Sequence, residues 1–259
     1  MSVRKRLIPV LLVDRHHRLV KTVKFRERTY IGDPFNVVRL FNEKEVDEIV
    51  VLDIDAATDG RQPDYDFLKE LASECFMPLA YGGGISSLSH CEKLNHLGVE
   101  KFVFGRGAHD KTLIVDASNH LGSQAVVGCV DVTGGSGRPF RCATQSGTVL
   151  HDFTPVEAAQ QLAEWGAGEI ILQSIERDGV RQGMDLSLIN EVSGSVSIPV
   201  VALGGAGDLS HLAAAMESGA SAVASGSAFC FIGRLRAVLV TYPTRTEVDA
   251  AVRLQRGGA

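Results

Sequence analysis

The sequence predicts an α/β protein of the (β/α)8 TIM-barrel class, and three observations carry that expectation. Eight short apolar runs recur along the chain, segments with helical spacing separate them, and the two halves share an internal repeat. The runs are Leu7–Val13, Glu48–Ile54, Met77–Tyr81, Lys101–Phe104, Ala125–Val130, Glu169–Leu172, Pro199–Leu203 and Ala222–Ser225. Each is nearly continuous rather than alternating, as suits a parallel strand buried on both faces. The segments between them are long enough for helical crossovers: Pro34–Lys44, Asp64–Ser73, Ser87–Leu97, Thr112–His120, Pro155–Glu164, Asp185–Val192 and Leu209–Ser218. Such alternation implies a parallel sheet, open or closed. The repeat favours closure. The stretch from Met77 aligns with the stretch from Ile198, 121 positions on, pairing Pro78 with Pro199, Gly83-Gly84 with Gly204-Gly205, and His90 with His211. A repeat of this length implies two four-stranded half-barrels, whereas repeats of ~20–50 residues mark solenoids. No linker or composition shift divides the chain, so residues 1–259 read as one barrel domain. Val132–Phe153, polar and glycine-rich, is expected to form a long loop over the barrel mouth.

Composition narrows the function class. The chain of 259 residues carries a formal charge of −5, with 45% hydrophobic and 22% charged residues, which points away from nucleic acid and from an anionic membrane. No apolar run approaches the ~18 residues of a membrane span. The basic-then-apolar opening superficially resembles a signal peptide, but Pro9 interrupts the apolar stretch and no small-residue cleavage site follows, so it reads as a first strand. Five cysteines stand singly without metal-site spacing, implying reduced thiols in a cytoplasmic protein with no metal and no organic cofactor.

Glycine-rich turns follow the strands at equivalent places in both halves: YGGGI at 81–85 and LGGAG at 203–207, then FGRGA at 104–108 and ASGSA at 224–228. Glycine lets backbone N–H groups approach an anion, and the following helix adds the positive end of its dipole. Two such sites across a two-fold repeat suit a ligand carrying a phosphate at each end. Gly204, Gly205, Gly226 and Ser227 form the stronger candidate, and Gly83 and Gly84 with Arg106 the weaker. Tight βα turns also select glycine, and Arg106 could equally form a surface pair. His90 and His211 read as helix-start or surface residues, and the Phe229–Phe231 pair as helix packing.

Several stretches resemble the HisF family, the cyclase subunit of imidazole glycerol phosphate synthase: RLIPVLLVD at 6–14, GDP at 32–34, DEIVVLDIDA at 47–56, GSQAVVGCVD at 122–131, GAGEIILQSIERDGVRQGMD at 166–185 and IPVVALGGAG at 198–207. The resemblance runs from about residue 5 to residue 232. It implies a (β/α)8 barrel that binds a bis-phosphorylated ligand at its C-terminal face, docks a HisH-like glutaminase at the N-terminal face, and conducts ammonia through the core.

Carried over by position, the implied roles divide. The strand-five catalytic aspartate matches Asp131, but the strand-one aspartate falls on Leu12. Asp14, two residues on, faces the same side of a continuing strand and is the candidate substitute. Lys21 matches a lysine implicated at the family's mouth, though it could be an ordinary loop lysine. Asp53 matches a mouth residue, while Asp55 could hold loop lysines. The phosphate pattern is kept at Asp178, Gly179, Gly205, Gly226 and Ser227. In the first half it becomes Gly105-Arg106, and the threonine usual before Ser174 becomes Gln173. The family's charged gate finds all its members in Arg6, Glu48, Lys101 and Glu169, which would close a ring of paired charges. The plainer reading of that ring is a sealed barrel floor.

Losing a proton-transfer group costs ~10²–10⁴-fold in rate, so Leu12 argues against an efficient cyclase unless Asp14 serves instead. A narrower likeness covers LLVDRHHRLVKTVKF, YIGDPFNVVRLFNEKEVDEIVVLDIDA, ASECFMPLAYGGGI and RAVLVTYPTR. These stretches resemble HisF-like proteins of surface-polysaccharide biosynthesis, and the last, at 236–245, stands in place of the family's usual C-terminal helix. That subgroup implies a barrel that pairs with the glutaminase and supplies ammonia to an ATP-dependent sugar amidotransferase forming acetamidino groups. Two alternatives stand beside it: an authentic cyclase of histidine biosynthesis, and a scaffold that only activates the glutaminase.

Overall fold

The computed structural model describes residues 5–135, 137–233 and 237–257. Eight parallel strands form the barrel: β1 (Arg6–Val13), β2 (Ile49–Asp53), β3 (Leu79–Gly82), β4 (Lys101–Phe104), β5 (Val126–Gly135), β6 (Glu169–Ser174), β7 (Val200–Leu203) and β8 (Ala222–Ser225). Each pairs with the next, and β8 pairs back onto β1 with Arg6 opposite Ala222, which closes the sheet. All eight expected runs are strands, because each has two faces to bury. Outward residues such as Leu7, Leu11, Ile49, Val51, Phe102 and Leu172 pack under the helices. Inward residues such as Ile8, Val10, Val50, Val103, Val127 and Ile171 fill the lumen as a second cluster. This is the alternation of a strand repeated on both sides, and the lumen is packed side chain rather than pore.

The helices are α1 (Pro34–Glu43), α2 (Tyr65–Glu74), α3 (Leu88–His96), α4 (Lys111–Leu121), α5 (Pro155–Glu164), α6 (Leu186–Ser193), α7 (Leu209–Glu217) and α8 (Arg245–Gly257). Asp33, Asp64, Asp110, Asp185 and Asp208 cap five of them by accepting first-turn N–H groups, each cap contributing about 1 kcal/mol. The half-barrel repeat survives in three dimensions: β3, α3 and β4 recur as β7, α7 and β8 at the same spacing.

Two segments differ from expectation. Residues 132–153 are not an irregular loop. β5 continues to Gly135 and returns as an antiparallel strand, Arg138–Thr144, followed by Val149–Leu150. Lys21 likewise lies in a hairpin, Leu19–Val23 paired with Glu27–Gly32, rather than in a loop. Backbone groups this far beyond the barrel need partners, and the ribbons supply them. At the C-terminus, a short ribbon pairs Phe231–Ile232 with Ala237–Val238. The Tyr242 hydroxyl then donates to the Leu7 carbonyl at 2.9 Å, and only from Arg245 does the chain become helical. Arg256 ties α8 to Glu217 on α7 at 2.9 Å.

Candidate functional site

The C-terminal ends of the strands open into a cavity of about 1390 Å³. Its strand-one wall is hydrocarbon: Val10 and Leu12 both point inward, and Leu12 lies level with Leu52 of β2. Asp14 does not make up for the missing acid. Its carboxylate accepts the N–H groups of His16 (2.9 Å) and Arg18 (3.0 Å) and the Arg18 guanidinium (2.7 and 2.9 Å), which fastens the turn after β1. Burial would raise its pKa, but the Arg18 and backbone hydrogen bonds outweigh that and hold it below the ordinary value. Asp14 is absent from the residues lining the cavity, so it is a fixed anion of the turn. The chain leaves the barrel wall there, and strand alternation no longer aims the side chain inward.

Asp131, on β5, lines the cavity opposite Gln173 of β6. Burial pushes its carboxyl up to about 7, against the Cys129 thiol hydrogen bond (3.6 Å) and with the repulsion of Asp178. A carboxyl poised there can give or take a proton near neutrality. Lys21 is only 4% exposed. Its hairpin folds across the mouth and docks on the loop after β6, where Asp178 accepts from the Thr22 hydroxyl (2.6 Å) and the Phe25 N–H (3.2 Å). Burial raises the Asp178 carboxyl, while Thr22, Phe25 and Lys21 oppose the rise. Gly179 is required at this junction, since its φ is +66° and a Cβ there would sit 2.0 Å from the Thr22 carbonyl oxygen.

The glycine turns of both halves line the cavity at Gly83, Gly84, Gly204 and Gly205, as do Gly226 and Ser227. Positive φ values are part of the reason for glycine there: at Gly205 (φ +102°) a Cβ would also meet the Gly183 carbonyl oxygen at 2.3 Å. Gly226 is a different case. Its φ is ordinary, yet a Cβ would lie 2.6 Å from the Lys21 ammonium, so this glycine makes room for the lysine. The helix contribution expected at Gly204 and Gly205 is already taken, because Asp208 accepts the N–H groups of Ser210 and His211 at the start of α7. Ser174 is 7% exposed and turned away from the cavity, with Gln173 in the inward position. The Arg106 side chain lies outside the described residues. Asp53 lines the cavity and accepts from the Asp55 and Ala56 N–H groups and from Arg61. Asp55 turns aside, where hydrogen bonds from Arg28, against burial and with help from Arg15, hold it at about 2. His90 and His211 do the same local task in each half, accepting the Ser86 and Gly207 N–H groups through Nδ1. His17 stacks on Phe67 with ring centroids 4.2 Å apart, while Phe229 and Phe231 are core residues.

Arg6, Glu48, Lys101 and Glu169 meet at the opposite end of the barrel. Lys101 reaches Glu48 and Glu169 at 2.8 Å each, and Arg6 pairs with both glutamates, so every member holds two partners. Among the other cavity residues that went unmarked in the sequence are Thr22, Cys129, His109 and Arg61. Cys129 was within reach of strand alternation, standing two residues before Asp131. The other three owe their places to segments that fold back over the mouth.

Residues 6–235 match the histidine biosynthesis protein family. A Pseudomonas aeruginosa protein provisionally named imidazole glycerol phosphate synthase subunit hisF2 is 47% identical over 249 residues, covering 95% of this chain and 99% of that protein. One from Vibrio vulnificus, provisionally named subunit hisF3, is 41% identical, covering 97% of each. Imidazole glycerol phosphate synthase subunit HisF of Frankia casuarinae is 38% identical, covering 91% and 94%.

Proposed function

This chain belongs to the HisF group of the histidine biosynthesis protein family, and from that premise we propose that it is the ammonia-conducting subunit of a glutamine-dependent synthase. In this reading a HisH-like glutaminase docks at the N-terminal face and releases ammonia at the Arg6–Glu48–Lys101–Glu169 ring. The ammonia crosses the lumen to the mouth and aminates an N-acetyl sugar on an ATP-dependent amidotransferase, forming an acetamidino group for surface polysaccharide. The single supporting observation is the contrast between a complete charge ring at the floor and a leucine, Leu12, where the mouth of a cyclase would carry an acid. The lumen between them, lined by Ile8, Val50, Ala80, Val103, Val127, Ile171 and Ala222, suits neutral ammonia and disfavours ammonium, because burying a lone charge there would cost several kcal/mol. The ring is closed and the lumen side chains are packed as they stand, so passage requires the docked glutaminase to part the ring and those side chains to move aside. An anion held by Gly204, Gly205, Gly226 and Ser227 would signal occupancy of the mouth.

The test mixes amide-labelled glutamine, the glutaminase, this barrel, the amidotransferase, ATP and the N-acetyl sugar. Label in the acetamidino product is expected only when all are present, and absence of transfer under every condition ends this reading. A second reading, cyclase activity in histidine biosynthesis, is favoured by the Asp131 carboxyl lifted to about 7. Turnover of the ribulosyl bis-phosphate with ammonium salts decides for it. If the activity was lost with the strand-one acid, Leu12→Asp should create it.

A further inference from the structure

The strand-one wall of the mouth carries an amine beside Leu12. Lys21 Nζ donates to the Val10 carbonyl at 2.5 Å, and Val10 is the inward residue one alternation below Leu12. Among the described residues the Lys21 amine makes no ion pair and no other hydrogen bond. Its surroundings are Val10, the face of Gly226, and two groups felt through space: Cys230 beyond β8 and Asp178 beyond β6. Burial lowers its pKa, with those two groups opposing. A lysine held only by a carbonyl, out of water and opening on a cavity, can lose its proton and act as a nucleophile. Holding the hairpin down would not require this arrangement, since Thr22 and Phe25 already bind it to Asp178.

We propose that Lys21 is a covalent amine of the mouth, forming an imine with the carbonyl carbon of a small phosphorylated keto or aldehydo compound. The phosphate part rests on the anion-binding reading of the glycine turns. The amine chemistry is independent of ammonia conduction. In the addition step the Lys21 nitrogen lone pair forms the N–C bond and the carbonyl π pair moves to oxygen, which takes a proton from the Asp131 carboxyl of the mouth. The nitrogen returns a proton to that carboxylate. A second protonation of the hydroxyl by the carboxyl lets the nitrogen lone pair expel water, and the resulting iminium N–H returns its proton to the carboxylate, leaving the imine. The sum is amine plus carbonyl giving imine plus water, with no oxidant or reductant. Such a step gives the mouth a way to activate a carbonyl ligand without a strand-one carboxylate.

The test uses the full chain alone, without glutaminase or ammonia, so its result is separate from the conduction assay. The protein is incubated with dihydroxyacetone phosphate near neutral pH, reduced with borohydride, digested and mapped by mass spectrometry. Lys21 should be labelled at least about tenfold faster than exposed lysines such as Lys44 and Lys69, as expected of a buried amine with a lowered pKa. Excess inorganic phosphate should suppress that label, and Lys21→Arg should abolish it. In parallel, NMR titration of 13Cε-labelled lysine should show Lys21 losing its proton below the exposed lysines, a measurement that needs no reagent access and no variant. Labelling confined to exposed lysines, or a Lys21 that titrates with them, overturns the proposal. Phosphate-insensitive labelling of Lys21 overturns its phosphate part.

Discussion

The two ends of this barrel bury charge in opposite ways. At the floor, two cations and two anions interlock so that Glu48 and Glu169, 3% and 5% exposed, each face Arg6 and Lys101. At the mouth, among the described residues, the Lys21 amine is buried with only a carbonyl for a partner, and Asp131 has only a thiol and a like-charged neighbour. Paired charges resist proton exchange because either partner's loss strands the other. Unpaired ones settle their own desolvation by moving their pKa toward neutrality. The floor is therefore built to hold or to open as a unit, and the mouth to exchange protons.

That contrast can be broken most severely at the floor. Glu169→Ala leaves Arg6 and Lys101 sharing one carboxylate, and urea unfolding should show a loss of roughly 3–5 kcal/mol. If label transfer from glutamine also falls, the ring takes part in conduction. If transfer is intact in the folded variant, the ring is a structural seal and the scaffold reading gains.

At the mouth, Asp131 makes stability depend on pH. Its native carboxyl keeps its proton up to about 7, whereas the unfolded one loses it near 4. The native state thus binds more protons between those values, and stability falls as pH rises through that window, by roughly 2–4 kcal/mol. Asp131→Asn should flatten that part of the profile, and an unchanged slope would show that the carboxyl is not the group responsible. Gly226→Ala pushes a methyl into the Lys21 ammonium, 2.6 Å away, and should cost about 1–3 kcal/mol. Its sharper signature is a Lys21 NMR signal displaced toward that of exposed lysines. The smallest effect is expected from comparing His90→Ala with His211→Ala. Each loses one backbone hydrogen bond, worth about 1 kcal/mol, and only the first should also weaken phosphate binding, because only His90 lines the cavity.

Much of this was legible residue by residue. Runs such as Leu7–Val13 announced their two buried faces, and the repeat placed Gly83-Gly84 and Gly204-Gly205 at equivalent mouths. Asp131 could be placed by strand alternation, and so could Cys129. Asp14 could not, because alternation holds only while the strand continues, and the chain turns at Asp14 under the pull of Arg18. Ser174 and Gln173 are adjacent in sequence, and only the register with Asp131 shows which of them faces inward.

The amino-acid order alone determined the barrel and its two-fold plan, because these follow from local periodicity and repeat, while the members of the floor ring came from the family resemblance. Only the tertiary structure decided the chemistry of the mouth. Whether a lysine is solvated or buried, or an aspartate ionised or protonated, depends on what folds over it. Here that cover comes from ribbons and loops distant in sequence: the hairpin of Lys21 seated on Asp178 and Gly179, and the strand that returns along β5. Desolvation is a property of the assembled neighbourhood, and no single segment of the chain carries it.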